Sequence, residues 1–215
     1  MKRTSVLLAD DHSFLLEGVR RLLEANLDVV GSADNGQALV ESALSLRPDM
    51  VVLDISMPIL NGIDAAKQIK RALPDTKLVF LTMHSNAIYL RKALEAGASA
   101  YVLKSGASDE LLRAIEAARK GESYVSPGFD QNTIDNVRNW SEKSSRAVIE
   151  LTGRQRQILQ LIAEGKQNKE IAQILDVSVK TIEFHRSRLM TKLGMHTVAE
   201  LARFAVQEGL TGTPE

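Results

Sequence analysis

Two periodicities divide the chain. Up to residue 121, short runs of aliphatic and β-branched residues alternate with longer stretches whose apolar positions recur every three or four residues. The short runs are Val6-Leu7-Leu8-Ala9, Val29-Val30-Gly31, Met50-Val51-Val52-Leu53, Leu78-Val79-Phe80-Leu81 and Ala100-Tyr101-Val102-Leu103. No polar residue interrupts any of them, so each predicts a strand covered on both faces. The longer stretches predict helices. The first carries Phe14, Leu15, Val19, Leu22 and Leu23 behind an N-cap at Ser13. Others are expected over 36–47, 61–73, 85–96 and 108–120, with Gly97 and Gly121 at C-terminal caps. Five strands alternating with five helices predict an α/β, doubly wound, five-stranded parallel sheet. Such a sheet binds its ligand at the carboxyl ends of the strands.

The alternation stops at residue 122. Residues 123–149 are rich in Ser, Asn, Pro and Gly with weak apolar periodicity, which predicts a linker with a helical turn around Thr133–Trp140. Trp140, the only tryptophan, has two equal readings, packed at a domain interface or exposed in the linker. Residues 150–215 return to helical spacing alone, with helices expected over 152–164, 168–175, 179–193 and 197–208 and Gly165, Gly194 and Gly209 between them. The chain therefore reads as three parts: an α/β domain at 1–122, a linker at 123–149, and an all-α four-helix domain at 150–215.

Composition narrows the chemistry. Lys plus Arg and Asp plus Glu both number 27, so any nucleic-acid surface must be a local patch. The absence of cysteine removes disulfides, thiolate metal sites and cysteine nucleophiles. The apolar run after the basic start ends at Asp10 and Asp11, too early for a signal sequence. No run approaches the roughly 18 apolar residues of a membrane span, and the expected location is the cytoplasm.

Acidic side chains sit where the predicted strands end. Asp10 and Asp11 follow the first, Asp54 follows the third, Thr82 ends the fourth and Lys104 follows the fifth. The first and third strands are neighbours in a doubly wound sheet, so the three carboxylates converge. Two such charges about 4 Å apart repel by roughly 4 kcal/mol at an effective dielectric near 20. A hard divalent cation removes that cost, and Mg2+ leaves positions open for a phosphate. The Thr82 hydroxyl and the Lys104 ammonium suit phosphate oxygens, and at rest Lys104 could pair with a carboxylate. Taken singly, an Asp after a strand is usually a turn residue. The ordered set across separate strands is what carries the reading.

On these residues, with Tyr101, the first 120 positions resemble the CheY-like receiver domain, a flavodoxin-like fold. The resemblance implies that Asp54 accepts a phosphoryl group from a histidine kinase or a small phosphodonor. It implies Mg2+ ligation by Asp11, Asp54 and the Ser56 carbonyl, with Asp10 acting through water. It gives Thr82 and Lys104 contacts to the phosphoryl group and turns Tyr101 inward behind Thr82. Three positions depart or vary. Ser105 stands where the family often has proline, and a cis bond there would cost about 3 kcal/mol. Met83 is bulkier than the small residue common after the switch threonine and is expected to narrow access to Asp54. Ser56 and His84 stand at positions that tune phosphate lifetime in the family, and His84 reads as a partly exposed loop histidine.

The segment from Lys169 to Ser187 reads as a helix-turn-helix. Ile171, Ala172 and Leu175 make one apolar face, Val177 and Ile182 continue it after a turn at Asp176, and Ser178 is an N-cap for the second helix. Aspartate tolerates the left-handed conformation that such a turn needs. The second helix carries Lys180, Arg186, Arg188 and Lys192 against one acid, Glu183. A basic helix face is often merely solvated, but here the motif places it at a major groove. Lys180, Glu183, Phe184 and Ser187 face outward toward base edges, Thr181 lies at the helix N-terminus near a phosphate, and Arg186, Arg188 and Lys192 suit the DNA backbone. His185 is expected to pack inward.

Leu151-Thr152-Gly153-Arg154-Gln155-Arg156, Ala163-Glu164-Gly165-Lys166, Asn168-Lys169-Glu170-Ile171-Ala172, the run Lys180 to Arg186 and Lys192-Leu193-Gly194 make this domain similar to the LuxR-type domain of NarL/FixJ response regulators. The resemblance implies binding to double-stranded DNA as a homodimer, with dimerisation through Leu201, Ala202 and Ala205 of the last helix. It also implies a phosphorylation switch in which an inactive receiver covers the second helix and the linker acts as hinge. The resulting expectation is a phosphorylation-dependent transcriptional regulator and not an enzyme. The rival, an Mg2+-dependent phosphatase with an aspartyl nucleophile, usually carries an acid two residues after that nucleophile, and Ser56 stands there instead. A DNA binder independent of phosphate would have no use for the intact acid cluster.

Overall fold

The structure is a computed structural model that describes residues 3–106, 108–129, 131–138 and 151–211. Trp140 and part of the expected linker lie outside them. The chain divides into two compact units.

The first unit is built on β1 (Ser5–Ala9), α1 (Ser13–Glu24), β2 (Asp28–Ala33), α2 (Gly36–Leu46), β3 (Met50–Leu53), α3 (Gly62–Ala72), β4 (Lys77–Thr82), α4 (Ala87–Glu95), β5 (Ala100–Leu103) and α5 (Ser108–Lys120). β6 (Tyr124–Val125) and α6 (Gln131–Arg138) come next. All strands pair in parallel in the order β2-β1-β3-β4-β5-β6.

The sheet has six strands where the sequence predicts five. Residues 124–125 fall in the expected linker because a two-residue strand is too short to leave a periodic signal. Pairing with Ala100 and Tyr101 makes it, and sequence cannot show that partner. The helical turn expected near Thr133 is present as α6. The receiver-like unit thus continues beyond residue 122.

Strand alternation sorts the core onto two faces. Val6, Leu8, Met50, Val52, Val79, Leu81, Ala100 and Val102 pack with Leu23 of α1 and Leu111, Ala114, Ile115 and Ala118 of α5. Their sequence neighbours Leu7, Val51, Leu53, Phe80 and Tyr101 point the other way and are also fully buried. Burial on both faces is the physical reason that β1, β3, β4 and β5 carry no polar alternation, whereas β2, at the sheet edge, is only partly covered. The parallel register also brings the strand ends level with one another. Ala9 pairs with Leu53, and Thr82 with Leu103, so the ends that precede Asp10, Asp54 and Lys104 form one rim.

One boundary differs. α1 begins at Ser13, with His12 as its N-cap and no side-chain cap bond, because the His12 side chain is engaged with acids instead. Gly97 and Gly121 take left-handed φ values of 88° and 81° at helix ends, as expected.

The second unit holds α7 (Gly153–Ala163), α8 (Asn168–Ile174), α9 (Val179–Leu193) and α10 (Val198–Gln207). Ile158, Leu159, Leu161, Ile171, Ala172, Ile182, Leu189, Leu201 and Ala205 form its core. Three of the helices open on side-chain caps: Thr152 with Gln155, Ser178 with the Thr181 amide, and Thr197 with Glu200. Each satisfies amides that a helix start leaves free. The expected role of Leu201 and Ala205 in dimerisation is corrected here. Both are wholly buried against the unit's own helices, and only Ala202 of that trio is partly open. Apolar spacing on a helix reports burial without saying against what.

Candidate phosphoacceptor cleft and nucleic-acid interface

The rim of the sheet gathers the acidic residues through one cation. Lys104 Nζ lies 2.7 Å from Asp10 Oδ2 and 2.7 Å from Asp54 Oδ2. Its side chain is only 7% exposed. Burial is the largest influence on this ammonium and would lower its pKa, but the Asp54 charge and the hydrogen bonds to Asp10 and Asp54 together hold it above the ordinary lysine value. Lys104 therefore stays charged between two carboxylates that are themselves buried. The ion pair with a carboxylate anticipated from sequence involves two of them.

Every carboxylate oxygen of this buried pair has a donor. Asp54 Oδ1 accepts the Ile55 amide at 2.6 Å, and Asp10 Oδ1 accepts the His12 amide at 3.0 Å. The backbone fixes the positions, with the Asp54 amide donating to the Ala9 carbonyl at 2.9 Å and the Lys104 amide to the Thr82 carbonyl at 2.8 Å. Gly62 is required behind them. A Cβ at that position would fall 1.9 Å from the Asp54 carbonyl oxygen.

Asp11 is more open, and His12 joins it to the buried acid. His12 Nδ1 lies 2.9 Å from Asp11 Oδ1 and 3.1 Å from Asp10 Oδ1. The Asp11 charge first, then the hydrogen bond to Asp10, raises the His12 pKa. Sequence reasoning passed over His12. Its signal was adjacency to the acid pair, and Asp10, Asp11 and His12 now form a cluster of possible metal ligands within 4.8 Å.

Thr82 is fully buried at the end of β4, and its Oγ1 accepts the His84 amide at 3.4 Å. Tyr101 is already inside, with its hydroxyl donating to the His84 carbonyl at 2.8 Å and its ring edge-on to Phe129 at 5.5 Å. Burial pushes that phenol far above the normal tyrosine range. His84 is half-buried, stacked 3.9 Å from Tyr89 and joined through Nε2 to Ser56 Oγ at 2.7 Å. Burial lowers its pKa, with Asp54 opposing and Lys104 assisting. Ser56 thus enters the site through its hydroxyl. Met83 is 70% exposed and projects outward. The peptide bond before Ser105 is trans, so that serine imposes no cis strain. The Lys104 loop is secured elsewhere: the Leu103 amide donates to Ser126 Oγ at 2.9 Å, and that hydroxyl donates to Glu110.

In the second unit α8, a short turn and α9 make the expected helix-turn-helix. Asp176 takes a left-handed φ of 48°, as its position required. The Arg154 guanidinium donates to the Leu175 carbonyl at 3.1 Å and closes the end of α8, with burial lowering its pKa. Lys180, Glu183, Phe184, Ser187, Arg188 and Lys192 line the open side of α9. Thr181 and His185 are half-buried, and the Thr181 hydroxyl is within 2.8 Å of Ser178 Oγ. Arg186 is also half-buried and donates to Asn168 Oδ1 at 3.2 Å, which ties it to the start of α8. The Arg188 guanidinium rests 5.0 Å over the Phe184 ring.

Among the described residues, no helix is long and apolar enough to cross a membrane. Comparison with known proteins matches both units. Residues 6–116 match the family described as the response regulator receiver domain, and residues 150–205 match the bacterial regulatory proteins of the luxR family. The transcriptional regulatory protein MctR of Rhizobium johnstonii is 38% identical over 208 residues, covering 95% of this chain and 94% of its own. The oxygen regulatory protein NreC of Staphylococcus epidermidis is 35% identical over 95% of this chain and 98% of its own. Among solved structures, the Salmonella typhimurium response regulator RcsB aligns with a TM-score of 0.61 at 30% identity, over 97% of this chain and 99% of that one. An RcsB–DNA complex aligns with a TM-score of 0.56 at 30% identity over 96% of this chain and 99% of that one. The paired family matches and the near full-length relatives give the assignment: the chain belongs to the NarL/FixJ family of two-component response regulators, DNA-binding transcriptional regulators made of a receiver domain and a LuxR-type helix-turn-helix domain.

Proposed function

We propose that Asp54 is the phosphoacceptor and that its phosphorylation controls binding of α9 to double-stranded DNA. The observation that carries this reading is the single ammonium of Lys104 held between Asp10 and Asp54. An acid accepting two hydrogen bonds at the end of a buried strand is held in place. Its partner cation is placed to exchange a carboxylate for a phosphoryl oxygen.

In the proposed reaction a carboxylate oxygen of Asp54 attacks the phosphorus of a phosphohistidine on a cognate kinase, or of a small acyl phosphate. The new O–P bond replaces the donor's bond, and the imidazole or carboxylate leaves with its electron pair. Lys104 follows the transferred charge, and Thr82 supplies a hydroxyl to another phosphoryl oxygen. Tyr101 holds the His84 carbonyl behind it. Hard oxygen donors suit Mg2+, and the corner already holds one positive charge between its acids, so Asp10, Asp11, Asp54 and the Ser56 carbonyl fit that ion. When bound, Mg2+ would offset charge on the phosphoryl oxygens. His12 competes for the same carboxylates and would have to yield.

The acyl phosphate carries nearly two negative charges where the carboxylate carried one. It shifts the chain only through contacts that differ between the two states, and the Lys104 and Thr82 contacts are of that kind. The DNA-bound form is proposed as a homodimer on paired half-sites, a reading supported by the solved structure of RcsB dimers bound to DNA. The cytoplasm is where such a kinase and the duplex meet. The chain itself turns over no substrate in this scheme.

The test compares operator affinity of the wild type with and without acetyl phosphate, and of Asp54→Ala. The expected result is tighter binding for the phosphorylated wild type alone. Equal affinities across the three would refute the switch. Steady turnover of an ordinary phosphomonoester would support the phosphatase reading instead.

A further inference from the structure

Phe184 stands out on α9. It is 55% exposed, and it contributes nothing to the core formed by Ile182 and Leu189 on the opposite face. Its neighbours on the open face, Lys180, Glu183, Ser187 and Arg188, are all polar. One helical turn later, Arg188 lays its guanidinium 5.0 Å over the ring. A cation so placed favours this ring position modestly, since both side chains are exposed. The pair is thus an apolar plate with a charged back.

If α9 is the helix that enters the major groove, which is the reading this inference rests on, the plate meets base edges there. Those edges offer donors, acceptors and one apolar group, the 5-methyl of thymine. A phenyl ring can make no hydrogen bond to the other groups and would desolvate them without return. The thymine methyl is the one partner that gains by contact with it.

We propose that Phe184 is a specificity-determining residue that reads the 5-methyl group of a thymine in each half-site, and that Arg188 is its positioning residue. Glu183 and Ser187, on either side, keep the polar readout.

The test begins with the full chain, treated with acetyl phosphate and Mg2+, selecting from a random duplex library. The enriched duplex is then remade with deoxyuridine replacing thymidine one position at a time, which removes one methyl and nothing else. Wild-type affinity should fall about fourfold at one thymine per half-site, and on the order of tenfold when both half-sites are changed. Phe184→Ala should bind the thymine and uracil duplexes equally. Arg188→Gln should shrink the thymine-to-uracil ratio, and Arg188→Lys should keep it. Wild-type indifference to every uracil substitution overturns the proposal. So does a Phe184→Ala protein that retains the same ratio, or one that changes only its oligomeric state. Failure of the wild type to enrich any sequence is a different result, since it removes sequence-specific DNA binding itself and the inference with it.

Discussion

Replacing Lys104 by methionine keeps most of the apolar stem, one atom shorter, and removes its charge. The two carboxylate oxygens it joins are each 2.7 Å from the same nitrogen, so they lie no more than twice that distance apart. At about 5 Å and an effective dielectric near 20, the exposed repulsion is about 3 kcal/mol. That agrees with the roughly 3–5 kcal/mol found when one partner of a buried ion pair is removed. Asp10 and Asp54 cannot escape to solvent, because both are buried and their remaining oxygens are held by the His12 and Ile55 amides. The repulsion therefore acts on the first unit's stability.

Native-state hydrogen exchange of the β1 and β3 amides reads that stability locally. With EDTA present, Lys104→Met should lose about 3 kcal/mol of protection free energy. Adding Asp10→Asn to it should recover most of the loss, because one of the two charges is gone. Mg2+ should also recover it, and the variant should bind Mg2+ more tightly than the wild type, since no ammonium contests the acids. If Asp10→Asn leaves the methionine variant as unstable as before, Lys104 stabilises through its buried stem and the electrostatic account is wrong.

Four other outcomes rest on named contacts. Gly62→Ala forces a methyl onto the Asp54 carbonyl, and overpacking of this kind should cost at least about 1–3 kcal/mol and reduce phosphate incorporation from acetyl phosphate. Asp176→Gly relieves a left-handed residue in the turn between α8 and α9 and should stabilise the second unit by up to about 1 kcal/mol in urea melts, a destabilisation being the refuting result. Leu201→Ala should cost the second unit about 2–5 kcal/mol as a cavity in its own core, whereas a lost dimer with unchanged monomer stability would restore the interface reading. Glu200 accepts the His196 and Thr197 amides, which depress its pKa, so the cap's contribution is present above the unfolded carboxylate pKa and lost as pH falls through the lower folded value. Thermal melts of Glu200→Gln should accordingly show a weaker acid dependence than wild type between pH 6 and about pH 3.

What the sequence disclosed, and what it withheld, has one physical division. Strands buried on both faces leave uninterrupted apolar runs, and helices leave a stripe, so β1 to β5 and the helices of the alternating and all-α segments were legible. The acids and Lys104 were legible too, because strand ends are fixed points and a parallel sheet aligns them. Contacts chosen in three dimensions left no such trace. Tyr124–Val125 is a strand only because Ala100 and Tyr101 pair with it. His12 belongs to the acid cluster because its ring folds back toward both acids, and a sequence of Asp-Asp-His does not say which way the ring turns. Leu201 and Ala205 had the spacing of an interface and the burial of a core, and periodicity does not distinguish a helix packed on its own domain from one packed on a copy. Arg186 and Arg188 have one reading from their charge, and sequence does not show that Asn168 bonds the first or that the second lies on an aromatic ring. Charge and period thus identify one open, basic face of α9, but which side chains of that face the protein has already engaged depends on contacts made in three dimensions.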